Sequence, residues 1–145
     1  MFGKASGFTS SVLLSSTAAN IGGFVIHGVE SNDLTGWQIS SAGDVNGDGF
    51  DDVLISAPVG DGPGNTRNTA GDSYVVFGKA SFAGPVDLAA LGGDGFVIYG
   101  ETAQDRACRV AASGDVNGDG FDDLLISAYF SDGPTNRVRR LVTPT

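Results

Sequence analysis

At 145 residues the chain is long enough for one domain with a buried core. Charged residues make up only 17% and the net charge is −9, which excludes the basic surface that nucleic acid or an anionic membrane would require. Glycine, at 23 residues, is about twice its usual share of roughly 7% and follows no Gly-X-Y period, which excludes collagen and points to many turns between short strands. The single cysteine, Cys108, excludes an intramolecular disulfide, and no apolar run approaches the roughly 20 residues of a membrane-spanning helix. Near Lys4 the longest apolar run is Val12-Leu13-Leu14, too short for a signal-peptide core, so the expectation is either a cytosolic protein or an export signal outside this segment.

Read in chain order, the sequence repeats itself with a period slightly over 70 residues. Phe2-Gly3-Lys4-Ala5-Ser6 returns as Phe77-Gly78-Lys79-Ala80-Ser81, and Gly23-Phe24-Val25-Ile26-His27-Gly28 as Gly95-Phe96-Val97-Ile98-Tyr99-Gly100. The longest match, 41–57, recurs at 112–128 with few changes. Within one unit four runs are predicted as strands: 36–41, 53–57, 74–77 and 96–99, the last with a counterpart at 24–27. Clusters of Gly, Asp, Asn and Pro such as 59–65 are loops by composition. Four strands per repeat without helical periodicity is the pattern of a β-propeller blade, and about two such antiparallel blades are expected.

Eight of the 17 acidic residues lie in two short runs, 44–52 and 115–123. In the first, oxygen side chains stand at positions one, three, five and nine: Asp44, Asn46, Asp48 and Asp52. The second offers Asp115, Asn117, Asp119 and Asp123. Ca²⁺ takes six to eight oxygens, and the carbonyls at position seven, Phe50 and Phe121, are candidates for another. Gly49 and Gly120 at position six permit the sharp turn. Without His or Cys in either loop, Zn²⁺ is disfavoured, and Mg²⁺ rarely occupies an all-protein cage. An EF-hand would need Glu at position twelve and flanking helices; here Ile55 and Ile126 stand there, inside strand-like stretches. The expectation is two Ca²⁺ sites, each in a strand–loop–strand hairpin.

These residues together resemble the FG-GAP repeat: Gly-Trp-x-Ile-Ser, then Gly-Asp-Val-Asn-Gly-Asp-Gly-Phe-Asp-Asp, Leu-Ile-Ser-Ala-Pro and Ser-Tyr-Val-Val-Phe-Gly. That repeat is the blade of integrin α-like seven-bladed propellers. The Phe-Gly-Lys-Ala-Ser linker resembles most the long arrays of bacterial extracellular Ca²⁺-binding proteins. The resemblance implies Ca²⁺ at positions one, three, five, seven and nine of each loop, an all-β propeller fold, and residence outside the cell or at its surface. Repeats are expected over residues 1–134, with 135–145 an irregular, off-pattern tail, and further blades outside this segment because two cannot close such a ring. The second copy departs from the pattern where Gly36-Trp37 becomes Ala107-Cys108 and where Ala57-Pro58 becomes Ala128-Tyr129.

No nucleophile elbow, phosphate loop or dinucleotide fingerprint is present. His27 alternates with Tyr99 in the repeat and reads as a packing or surface position; Cys108 reads as a small buried apolar group. The expected function is therefore non-enzymatic: a Ca²⁺-stabilised segment of an adhesion or ligand-binding protein, contacting a protein or glycan at the cell surface through loops such as 58–72, without inserting into the membrane. The competing expectations are an accessory or catalytic propeller of a secreted hydrolase or lyase, and a purely structural spacer.

Overall fold

A computed structural model describes residue 2, residues 22–131 and the backbone of 139–141. Among the described residues there is no α-helix, and the chain is all-β. In chain order the strands are β1 (Ile26–His27), β2 (Ile39–Gly43), β3 (Asp52–Ala57), β4 (Asp72–Val76), β5 (Val86–Asp87), β6 (Gly95–Tyr99), β7 (Ala107–Gly114), β8 (Asp123–Ala128) and β9 (Arg139–Leu141). Single 3₁₀ turns lie at Pro63–Asn65 and Leu88–Ala90, the second capped by Asp87, whose Oδ1 accepts the Ala89 N–H at 3.0 Å.

The first blade is the antiparallel sheet β2-β3-β4-β6, and the second is β7-β8-β9. Alternation along β3 and β4 decides how they pack. Leu54 and Val75 point toward the second blade and share a core with Val110, Leu124 and Ile126. Ile55, Tyr74 and Val76 point the other way, onto Val86, Leu88 and Leu91 with Phe24, Ile26 and Phe82 around them. Burying each such aliphatic side chain contributes about 1.5–3 kcal/mol, so both faces of the first blade hold it in place. Gln38 clasps the blades together: its Nε2 donates to the Val110 carbonyl at 2.7 Å and its Oε1 accepts the Val110 N–H at 3.4 Å. The aromatic linkers repeat their packing too, Phe2 against Phe24 at 5.7 Å and Phe77 against Phe96 at 5.9 Å between centroids.

Three expectations change. The first strand starts at Ile39, not at residue 36, because Leu34 and Gly36 take positive φ and fold Trp37 into a turn, leaving its ring 68% exposed. The run 24–27 is strand only at Ile26–His27, and it pairs parallel with β5 instead of joining an antiparallel blade. The tail is not wholly irregular: Arg139–Leu141 pairs antiparallel with Leu124–Ile126. Backbone N–H and C=O groups along an open strand edge take any partner that can extend, whatever its side chains, so off-pattern residues still supply a third strand. The remainder of 135–145 lies outside the described residues.

Candidate metal loops

Both acidic runs form the connection of a tight hairpin, β2 to β3 and β7 to β8, with Ile55 and Ile126 inside the following strand. Each loop is launched by the same device. A bulge between Ser41 and Gly43, and again between Ala112 and Gly114, ends the ladder on a glycine with positive φ and turns the next residue, Asp44 or Asp115, out of the strand.

The position-one carboxylate then gathers the backbone around itself. Asp44 Oδ1 accepts the N–H groups of Gly47 (2.8 Å) and Asp48 (3.0 Å), and its Oδ2 accepts that of Gly49 (2.9 Å). In the second loop Asp115 Oδ1 accepts Gly118 (2.6 Å) and Asp119 (3.1 Å), and Oδ2 accepts Gly120 (2.9 Å). Gly49 and Gly120 have φ of 88° and 92°, a conformation only glycine adopts without strain. Asn46 Oδ1 accepts the Asp48 N–H at 3.0 Å while its Nδ2 donates to Asp48 Oδ2 at 2.9 Å; the corresponding distances at Asn117 and Asp119 are 2.8 and 2.7 Å. Asp48 Oδ1 accepts the Phe50 N–H at 2.9 Å, as Asp119 Oδ1 accepts Phe121 at 3.0 Å. The loops match bond for bond.

Position nine is held differently. Asp52 is 1% exposed and Asp123 3%, at the first residue of β3 and β8. Asp52 Oδ2 accepts the Val45 N–H at 3.0 Å and Asp123 Oδ2 the Val116 N–H at 2.8 Å, so each reaches back to position two. Asp52 Oδ1 also accepts the Gly78 N–H at 2.8 Å. Gly78 must be glycine because a Cβ there would meet the Asp51 carbonyl and lie 2.7 Å from Phe50 Cβ. Sequence reasoning missed this role; the recurrence of Phe-Gly at 2–3 and 77–78 was the available signal.

Burial raises the Asp52 carboxyl above its ordinary range, with Asp48 and Asp44 adding to the rise and the two amides opposing it. Asp115 is lowered, chiefly by the Gly120 amide. The donor set is all oxygen, which suits a hard cation. Among the described residues, no three acidic, His or Cys side chains already converge as a finished cage. The Asn46–Asp48 contact closes the loop instead; Asp44 Oδ1 and Asp115 Oδ1 each already accept two amides, whereas Asp44 Oδ2 and Asp115 Oδ2 accept one and keep a second lone pair.

At the opposite end of β3, about 20 Å along a six-residue strand, the β3–β4 loop meets the segment before β2. They enclose a cavity of about 610 Å³ whose walls include Glu30, Asp33, Asp61, Asp72, Tyr74 and Tyr99. Asp72 is 5% exposed; its Oδ2 accepts Gly62 N–H at 3.4 Å, and its Oδ1 has no partner. Burial, then Asp33 and Asp61, push its carboxyl up to about 6. These carboxylates come from separate segments, so no local motif announces the cavity. His27 is exposed, and Cys108 is 1% exposed with its thiol raised by burial.

The FG-GAP repeat model matches residues 35–76 and 109–139, together half of the chain. Integrin alpha-PS2 of Drosophila melanogaster is 32% identical over 121 residues, 82% of this chain and 8% of that protein. Integrin alpha-PS5 of the same organism is 30% identical over 113 residues, 74% of this chain and 10% of that protein. The chain thus spans about a tenth of the length of these relatives. No described helix is long and apolar enough to cross a membrane. Two blades with matched acidic hairpin loops and a family match centred on both place this chain in the FG-GAP repeat family.

Proposed function

We propose that each loop binds one Ca²⁺, through Asp44, Asn46, Asp48, Phe50 and Asp52 and through Asp115, Asn117, Asp119, Phe121 and Asp123. The observation that carries this reading is the bond-for-bond identity of two separately encoded acidic loops. A carboxylate cluster held this closely gains from a cation that offsets its self-repulsion. The bound ion would supply charge neutralisation and a fixed loop shape; the protein supplies oxygen donors and the amides that orient them. The segment then serves as a metal-stabilised, non-enzymatic propeller unit of an extracellular adhesion or ligand-binding protein. The integrin relatives support that setting, and the cavity end, away from the metal loops, suits contact with a protein or glycan.

Calorimetric titration of the purified chain with CaCl₂ is expected to give two sites per chain, and one site in Asp48→Asn/Asp52→Asn. An unchanged stoichiometry in the double variant would remove the assignment.

A further inference from the structure

The two acidic loops are bonded to each other through Asp122, a carboxylate outside both sets of proposed ligands. Its Oδ2 accepts the Asp44 N–H at 2.9 Å, and its own N–H donates to the Asp44 carbonyl at 3.2 Å. One residue of the second loop thus holds both polar groups of the Asp44 backbone. The neighbouring ring, Phe121, lies over Gly47: a Cβ there would stand 2.5 Å from Phe121 Cε1, and one on Gly43 would collide with the Asp122 carboxylate. Bare glycine backbone admits the contact.

Both ends of this contact are built into a metal loop. In the first, Asp44 is position one, whose carboxylate gathers the amides of Gly47, Asp48 and Gly49. In the second, Asp122 is position eight and stands between two proposed ligands. Phe121 has its N–H held by Asp119 Oδ1 at 3.0 Å, and Asp123, 3% exposed, accepts the Val116 N–H at 2.8 Å. Asp122 therefore cannot shift without moving a ligand on either side, nor Asp44 without breaking both bonds to Asp122. Asp51, position eight of the first loop, carries the same charge but is exposed.

We infer that Asp122 is a positioning residue that couples the two Ca²⁺ sites, so that filling either one raises the affinity of the other. The coupling rests on the reading of both loops as Ca²⁺ sites. Filling the second loop fixes residues 121–123 and, through Asp122, the Asp44 backbone, so the first loop then orders its donors at a smaller entropic cost. Linkage makes the effect reciprocal. The opposing effect is electrostatic and weaker. Each loop brings three carboxylates, so a divalent ion leaves it net negative. Filling one loop lessens the pull on the second ion without reversing it, and salt screens that effect between exposed loops.

Calorimetry of the whole chain with CaCl₂ tests this as a cycle. Asp48→Asn/Asp52→Asn leaves the second site alone, and Asp119→Asn/Asp123→Asn the first. The product of the two wild-type association constants should exceed the product of these single-site constants by about fivefold or more, the low end of ordinary coupling. With Asp122→Ala in all three proteins, the chain with intact loops should still bind two ions, but the excess should vanish. Asp122→Asn, which keeps an oxygen acceptor for the Asp44 N–H without the charge, should restore it. Asp51→Ala removes the same charge from the other loop and should leave the excess intact. A second measurement needs no change at Asp122: in Asp48→Asn/Asp52→Asn, CaCl₂ should slow hydrogen exchange at the Asp44 N–H. Two bound ions without the excess, an excess that survives Asp122→Ala or is not restored by Asp122→Asn, or an Asp44 N–H indifferent to CaCl₂ would overturn the coupling and leave the sites standing. A wild type that binds no Ca²⁺ would overturn the sites and the coupling with them.

Discussion

Asp52 and Asp72 are both buried carboxylates, but their partners set them apart. Asp52 accepts two backbone amides, one on each oxygen, and ties the acidic loop to the linker at Gly78. Asp72 has one long bond to Gly62 and an unpartnered Oδ1 among other acids. Its carboxyl, raised to about 6 from an unfolded value of 3.8, favours the protonated form in the fold. That preference is fully present below about pH 4 and is lost as pH rises through about 6, a swing of about 3 kcal/mol. Asp72→Asn, which cannot ionise, should lose this component, so its advantage over wild type should grow between about pH 4 and pH 7. Denaturant midpoints of both proteins across that range check it, and a constant difference would show that Asp72 titrates normally.

At the scale of the element, β3 and β8 are nearly the same strand in different surroundings. Asp-Val-Leu-Ile-Ser-Ala and Asp-Leu-Leu-Ile-Ser-Ala differ at one residue. β3 lies between β2 and β4 with covered faces, and it is buried at five of six positions. Leu54→Ala should cost about 2–5 kcal/mol, the range for emptying a packed leucine site. Leu125→Ala, half-exposed, should cost under about 1 kcal/mol. The pair can be read from urea midpoints, and equal losses would mean that the second blade's outer face is covered in solution.

For the whole molecule, the loops sit side by side at one end of the two blades, joined at Asp44 and Asp122. Their carboxylates repel, and the cost falls on the blade interface as well as on each loop. At a dissociation constant of about 10⁻⁴ M and millimolar supply, each Ca²⁺ would add about 1.4 kcal/mol to stability. Thermal unfolding should therefore shift upward with CaCl₂ and downward with a chelator, and the shift should shrink in Asp48→Asn/Asp52→Asn. An identical melting profile with and without chelator would count against metal in these loops.

The repeat, the two acidic loops and their hairpin setting were legible in the sequence because each is local. Position-by-position oxygen spacing, a glycine at the turn and an isoleucine at position twelve need only a dozen consecutive residues to be read. The same holds for the all-β character, written in short apolar runs between glycine-rich turns. What the tertiary structure decided depends on neighbours far along the chain. Trp37 is exposed and Cys108 buried although the repeat equates them, because one lies in a turn and the other inside β7. The parallel β1–β5 pair and the β8–β9 pair arise from backbone edges that side-chain pattern does not encode. Leu54 and Leu125 share a residue type and a repeat position, yet only one has a second blade against it, and burial belongs to that packing and not to the residue.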